Sequence, residues 1–130
     1  MMISDALGPN PRVVRTAEPG DTIGDVVDLL AEFGIGAVVV TGDGADIAGI
    51  ISERDIVRHL AHEQEHMLRI KVEDLMTSNV ITCAADDAVD DVARIMLNGR
   101  FRHMPVVDGS GALVSMVSLG DLVEARLGAE

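Results

Sequence analysis

Two rhythms of apolar and polar positions alternate along this chain. After Thr22, apolar side chains fall at Ile23, Val26, Val27 and Leu30, with Leu29 and Phe33 widening the face, which is the spacing of an amphipathic helix. Thr22 is placed to cap it with Asp25 at the third helical position, and Gly34 ends it. Residues 35–40, IGAVVV, form a continuous run rich in β-branched residues and too short for an independent helix, so they predict a buried strand. TGDGAD then supplies a turn, and residues 47–51 predict the second strand of a hairpin. A short strand at residues 12–16 precedes the helix, across the turn made by Pro19, Gly20 and Asp21. A second helix follows Ser52, with Ile56, Val57 and Leu60 as its apolar positions.

The resulting order, strand, helix, strand, strand, helix, occurs twice. It returns at residues 80–82, 88–98, 103–107, 113–117 and 119–127, with DGSG as the hairpin turn. Sliding the sequence on itself by 66 places aligns Val14 with Val80, Thr16 with Thr82, Asp21 with Asp87, Asp25 with Asp91 and Val26 with Val92. The same shift aligns Val40 with Val106, Ser52 with Ser118, Asp55 with Asp121 and Val57 with Val123, all without a gap, so the unit is duplicated. A unit of about 60 residues is marginal alone, which predicts obligatory packing of the two copies. Between them, HEQEH reads as the solvated end of a helix and VEDLMTSN as a short helical turn. Residues 1–11 read as a loose lead-in, because Pro9, Asn10 and Pro11 discourage regular structure.

The sharpest local feature is GIISERD, residues 49–55, where an apolar strand runs straight into a helix start. Such a start presents unpaired backbone N–H groups and partial positive charge, and therefore suits a phosphate. SMVSLGD, residues 115–121, repeats it. Ser-x-x-Asp at a helix start is also a capping box, worth about 1 kcal/mol without any ligand. The sequence leaves both roles open, and they are compatible.

Composition narrows the function classes. The net charge of −12 argues against nucleic acid as partner, since phosphate backbones need a basic face. Trp and Tyr are absent and there are two Phe, so a bound base must lie between aliphatic side chains and backbone. The 48% of hydrophobic residues suffices for a core, yet no apolar run approaches the ~20 residues of a membrane span. The N-terminus lacks a basic start and an apolar core segment, so nothing marks it for secretion. A single cysteine, Cys83, excludes an internal disulfide and agrees with a reducing compartment, hence the cytoplasm. His59, His62 and His66 have helical spacing, but no Cys or buried carboxylate cluster accompanies them, and they read as a polar helix surface with no metal. Neither Ser52, Ser118 nor Cys83 has a base at a catalytic spacing, so the expectation is a binding module, not an enzyme.

IGAVVV with GIISERDIVR, VEDLMT, and RFRHMPVVD with LVSMVSLGDLV together resemble the tandem CBS domain, named after cystathionine β-synthase, over roughly residues 12–128. More narrowly, the chain looks like the small stand-alone bacterial proteins made of one CBS pair. The resemblance implies an α+β fold of two βαββα units related by a pseudo-two-fold axis. Its division would be a lead-in at 1–11, the first motif at 12–66, a linker with a short helix at 67–79 and the second motif at 80–128. It implies two clefts between the units, no resident cofactor, and a regulatory module that senses adenosine-containing ligands: AMP first, then ADP, ATP or NAD(H), with S-adenosylmethionine as an alternative. It also implies a disc-shaped homodimer and an unidentified protein effector, with neither nucleic acid nor membrane as partner. A silent dimerisation scaffold is the competing reading.

Carried onto this sequence, the family's Ser/Thr-x-x-Asp element falls on Ser52 and Asp55, and on Ser118 and Asp121. There the carboxylate accepts from ribose hydroxyls and the Ser hydroxyl meets phosphate. The base would lie against main chain near Thr16 and Thr82, and against Ile35, Ile51, Met104 and Val117, with Gly36, Ala37 and Pro105 completing the lining. The first site's cation would be Arg54 or Arg58. The second has Arg100, Arg102 and His103, which favour an anionic ligand. Ser115 replaces Gly49 of the first copy, which predicts a less close approach of ligand to the second hairpin.

Overall fold

The computed structural model describes residues 1–9 and 14–128, and it divides into two compact units, Arg15–Val80 and a second formed by Met1–Val14 with Ile81–Glu130. In the first-repeat unit, Thr22 and Asp25 set the start of a helix, α2 (Ile23–Phe33), preceded in the chain by α1 (Ile3–Leu7) and β1 (Thr16–Ala17). The Thr22 Oγ1 accepts the Asp25 N–H at 3.2 Å, and the Asp25 carboxylate accepts the Thr22 N–H at 3.0 Å. Gly34 closes the helix in the left-handed region, with φ 61° and ψ 39°. β2 (Ala37–Val40) pairs parallel with β1 and antiparallel with β3 (Gly49–Ser52), giving the order β1-β2-β3. α3 (Glu53–Glu63), a 3-10 turn at Gln64–Arg69 and α4 (Val72–Leu75) complete the unit.

The core follows the predicted stripes. Ile23, Val26 and Leu30 of α2 meet Val38, Val40, Ile51, Ile56, Met67 and Val72. Phe33 departs from the expected core face: it is 39% exposed and carries the Arg15 guanidinium 3.8 Å above its ring. Such a contact at an exposed site adds about 0.5–1 kcal/mol.

The second-repeat unit has the same plan. β4 (Cys83–Ala84), β5 (His103–Val107) and β6 (Leu113–Ser118) form a sheet in that order, with α5 (Val89–Gly99) and α6 (Leu119–Gly128) packed on it. Both first strands lie later in the chain than residues 12–16 and 80–82; Arg12 and Val13 fall outside the described residues. The shift follows from pairing, since Ala17 and Cys83 must reach Val40 and Val106 to enter the cores. The hairpin turns are locked by carboxylates: Asp43 accepts from Ala45 and Asp46 N–H and the Thr41 hydroxyl, and Asp108 from Ser110 and Ala112. These hydrogen bonds hold both carboxyls below the usual carboxylate range, first through Ala45 N–H at Asp43 and the Ser110 hydroxyl at Asp108.

The lead-in is not loose. α1 packs inside the second-repeat unit, with Ile3 fully buried among Cys83, Val89, Val92 and Leu122. Its backbone is stitched to the loop before α5: Ile3 N–H to Asp87 O at 2.9 Å, Ser4 N–H to Ala85 O at 2.8 Å, and Val89 N–H to Met1 O at 3.0 Å. The segment around α4 does the same in the first-repeat unit: Val72 N–H to Asp21 O at 2.8 Å, Glu73 N–H to Pro19 O at 3.1 Å, and Ile23 N–H to Ile70 O at 2.8 Å. The straps are therefore exchanged, because each precedes one repeat in the chain and packs in the unit of the other. Pro9 discourages regular structure only after α1 has ended, and Asp5 secures its start by accepting the Met2 N–H at 2.8 Å.

Candidate functional site

Each unit brings its hairpin to a Ser that is at once the last residue of a strand and the cap of a helix. Ser52 is half-buried at the end of β3; its Oγ accepts the Asp55 N–H at 3.2 Å. Asp55 returns through Oδ2, accepting the Ser52 N–H at 2.9 Å and its hydroxyl at 3.0 Å. Both of these bonds fall on Oδ2, so the cap engages one carboxylate oxygen. In the second-repeat unit the Asp121 N–H donates to Ser118 Oγ at 3.0 Å, and the Ser118 N–H to Asp121 Oδ2 at 2.8 Å. The same four residues form the two capping boxes.

A backbone contact that the sequence did not signal completes each helix start. The Glu53 N–H donates to Gly36 O at 2.9 Å, and the Leu119 N–H to Arg102 O at 2.8 Å. It follows from the strand register, which sets Ala37 opposite Ser52 and His103 opposite Ser118. In α6 the next residue is Gly120, which stands where α3 has Arg54.

The register gathers Gly36, Ala37, Ser52, Arg54 and Asp55 at one helix start, and Arg102, His103, Ser118 and Asp121 at the other. Arg102 is exposed and His103 half-buried. Arg58 is exposed one turn along α3, and His59 on the same helix donates through Nδ1 to Asp55 O at 2.8 Å. Thr16 lies half-buried on β1 beside Val39, whereas Thr82 is exposed just ahead of β4. Ile35 is half-buried against the first core. Ala37 and Pro105 are buried but alternate with the core-facing Val38 and Met104, and so lie on the other strand face. Ile51, Met104 and Val117 correct the expectation of a base-lining role: each is fully enclosed in its own core cluster, where its side chain holds strand to helix. Among the described residues no group of three His, Cys, Asp or Glu is placed to hold a metal ion, and no helix is long and apolar enough to cross a membrane.

Gly49 and Ser115 also receive a different explanation. A Cβ on Gly49 would come within 2.5 Å of Met76 Sδ and 2.9 Å of Thr77 O, so the glycine makes room for the protein's own strap. Ser115, opposite Val106 on the core side of β6, is 7% exposed and its hydroxyl has no partner. A buried hydroxyl without a partner is a cost, so Ser115→Ala should stabilise the protein by about 1 kcal/mol in equilibrium urea unfolding. A loss of stability would show that the hydroxyl is satisfied.

Comparison with known proteins places this geometry. The family model of the CBS domain matches residues 3–62 and 72–128. The CBS-domain containing protein of Agrobacterium tumefaciens has the same architecture, with 38% identity, a TM-score of 0.91 and coverage of 97% of this chain and 99% of that one. The CBS domain pair of protein MJ0100, solved with 5-methylthioadenosine and S-adenosyl-L-methionine, is 28% identical, with a TM-score of 0.85 over 100% of this chain and 98% of that one. CBSX2 in complex with AMP is 26% identical, with a TM-score of 0.83 over 98% and 97%. Some relatives are longer: the chain spans 59% of an uncharacterized Methanopyrus kandleri protein, 30% identical over 115 residues or 88% of this chain.

Proposed function

Since this chain belongs to the CBS domain family, we propose that it is a regulatory module that binds adenosine-containing ligands at its two Ser-x-x-Asp helix starts and signals by a change of conformation. The observation that carries this reading is the duplication of one arrangement in both units: a carboxylate with one oxygen engaged in capping, beside a helix N-terminus at a strand end. A carboxylate oxygen accepts well from a cis-diol, and the adjacent helix end favours phosphate. The AMP complex of CBSX2 and the 5-methylthioadenosine and S-adenosylmethionine complex of the MJ0100 pair support the ligand class. AMP is the first choice, NAD(H) or ATP the next, and S-adenosylmethionine an alternative.

Regulation is preferred over catalysis because no activated nucleophile is in view among the described residues. Burial, and secondarily the charge of Asp87, push the Cys83 thiol up to about 11, so it stays protonated and unreactive at neutral pH. The protein would act in the cytoplasm as a homodimer and pass occupancy to an effector protein.

Thermal-shift titration with AMP, ATP, NADH and S-adenosylmethionine tests the proposal. A ligand at a hundred times its dissociation constant adds about 2.7 kcal/mol of stability. Asp121→Ala should weaken binding by about 1.5–3 kcal/mol through loss of charge-assisted hydrogen bonds, and should cost the fold only about 1 kcal/mol as a lost cap. Unchanged calorimetric binding by that variant would count against the assigned role, and silence toward all four compounds would leave a dimerisation scaffold.

A further inference from the structure

We propose that two copies of this chain pair through the helices that follow their hairpins, α3 of one copy lying against α6 of the other. The inference rests on the homodimer reading above and deepens it by assigning the contact faces and their order. Among the described residues the two helices of each repeat meet the core unequally. α2 buries Ile23, Val26 and Leu30, and α5 buries Val89, Val92 and Met96, whereas only Ile56 is buried in α3 and only Leu122 in α6. The apolar side chains left over on α3 and α6 are grouped. Val57, Leu60 and Ala61 are exposed on one face of α3, and Val123 and Leu127 on one face of α6, with exposures running from 46% at Leu60 to 71% at Leu127.

The 66-place repeat puts Val57 and Val123 at one position, so the same uncovered stripe is built twice. A lone exposed apolar residue is ordinary, but a stripe recurring at the same place on two helices marks a contact surface. Charge decides what covers it. The residue after the shared valine is Arg58 in α3 and Glu124 in α6, both exposed, and neither makes an ion pair or side-chain hydrogen bond among the described residues. When two helices pack antiparallel about these valines, the residues one place on lie on the same flank and face each other. α3 against α6 of a second copy therefore sets Arg58 opposite Glu124, and in a closed pair of copies the contact is made twice. α3 against α3 would set Arg58 against Arg58, and α6 against α6 would set Glu124 against Glu124. Those repulsions select the mixed order.

Sedimentation velocity of the full chain over a concentration series tests the pairing, comparing parent, Arg58→Glu, Glu124→Arg, the double reversal Arg58→Glu/Glu124→Arg, and Val57→Asp/Val123→Asp. The parent should sediment as a dimer. Each single reversal should raise the dimer dissociation constant about tenfold, and the double reversal should return it to within about threefold of the parent. Val57→Asp/Val123→Asp should leave a monomer whose far-UV circular dichroism matches the parent, because both valines are exposed. A parent that stays monomeric throughout overturns the homodimer and its interface together. A dimer that survives Val57→Asp/Val123→Asp overturns the assigned faces while the homodimer stands. Single reversals that leave the dimer at parent strength, or a double reversal that fails to restore it, overturn the pairing of α3 with α6. All are measured without nucleotide, so the adenosine reading stands or falls separately.

Discussion

Replacing Ile3 with alanine is expected to lower the stability of the protein by about 3 kcal/mol, although the residue stands in a five-residue helix near the start of the sequence. Its side chain is 0% exposed and sits in one core cluster with Cys83, Val89, Val92, Met96 and Leu122. The residues around it are held by backbone hydrogen bonds and would not collapse readily into the vacated volume, so the loss of apolar burial is joined by a cavity cost. Equilibrium unfolding followed by circular dichroism would register a fall in midpoint of roughly 10 °C. Had α1 been the loose lead-in that Pro9 and Pro11 suggest, the change would stay within about 0.5 kcal/mol; a shift that small would show that the strap does not contribute to the core in solution.

Gly49→Val should be comparably damaging, at about 2–4 kcal/mol. A Cβ at this position meets Met76 Sδ at 2.5 Å, Met76 Cγ at 2.8 Å and Thr77 O at 2.9 Å. The methionine can swing aside at modest cost. The Thr77 carbonyl cannot, because it accepts the Ile50 N–H at 2.9 Å while the Thr77 N–H donates to Ile50 O at 2.9 Å. Relieving the clash means prying this strap from β3. Hydrogen exchange should show faster exchange at Ile50 and Thr77 in the variant, and Gly49→Ala should give an intermediate loss in equilibrium unfolding. An alanine variant as stable as the parent would mean that the strap does not press on β3.

The elements that sequence patterning located well are those whose determinants are local. The stripe Ile23, Val26, Leu30 between Thr22 and Gly34 carries its own cap, face and stop, and the helix is found there. The two Ser-x-x-Asp helix starts were legible for the same reason: a capping box is complete within four residues. What escaped depends on residues distant in the chain. Nothing near Ile3 marks it as core, because its partners begin at Cys83. The need for Gly49 is set by Met76 and Thr77, and the carbonyls of Gly36 and Arg102 carry no side-chain signature at all. Ile51, Met104 and Val117 were assigned to ligand because their apolar character fits either a base or a core, and only strand alternation decides for the core.

The strap exchange bears on the order in which the molecule can be completed as it is synthesised. The unit Arg15–Val80 is one uninterrupted stretch, whereas the other joins Met1–Val14 to Ile81–Glu130. Ribosomal synthesis delivers α1 before the rest of its unit, and its seat does not exist until Leu122 has been added. The contiguous half is thus free to mature early, while α1 waits for the far end of its own unit and is among the last pieces to be seated.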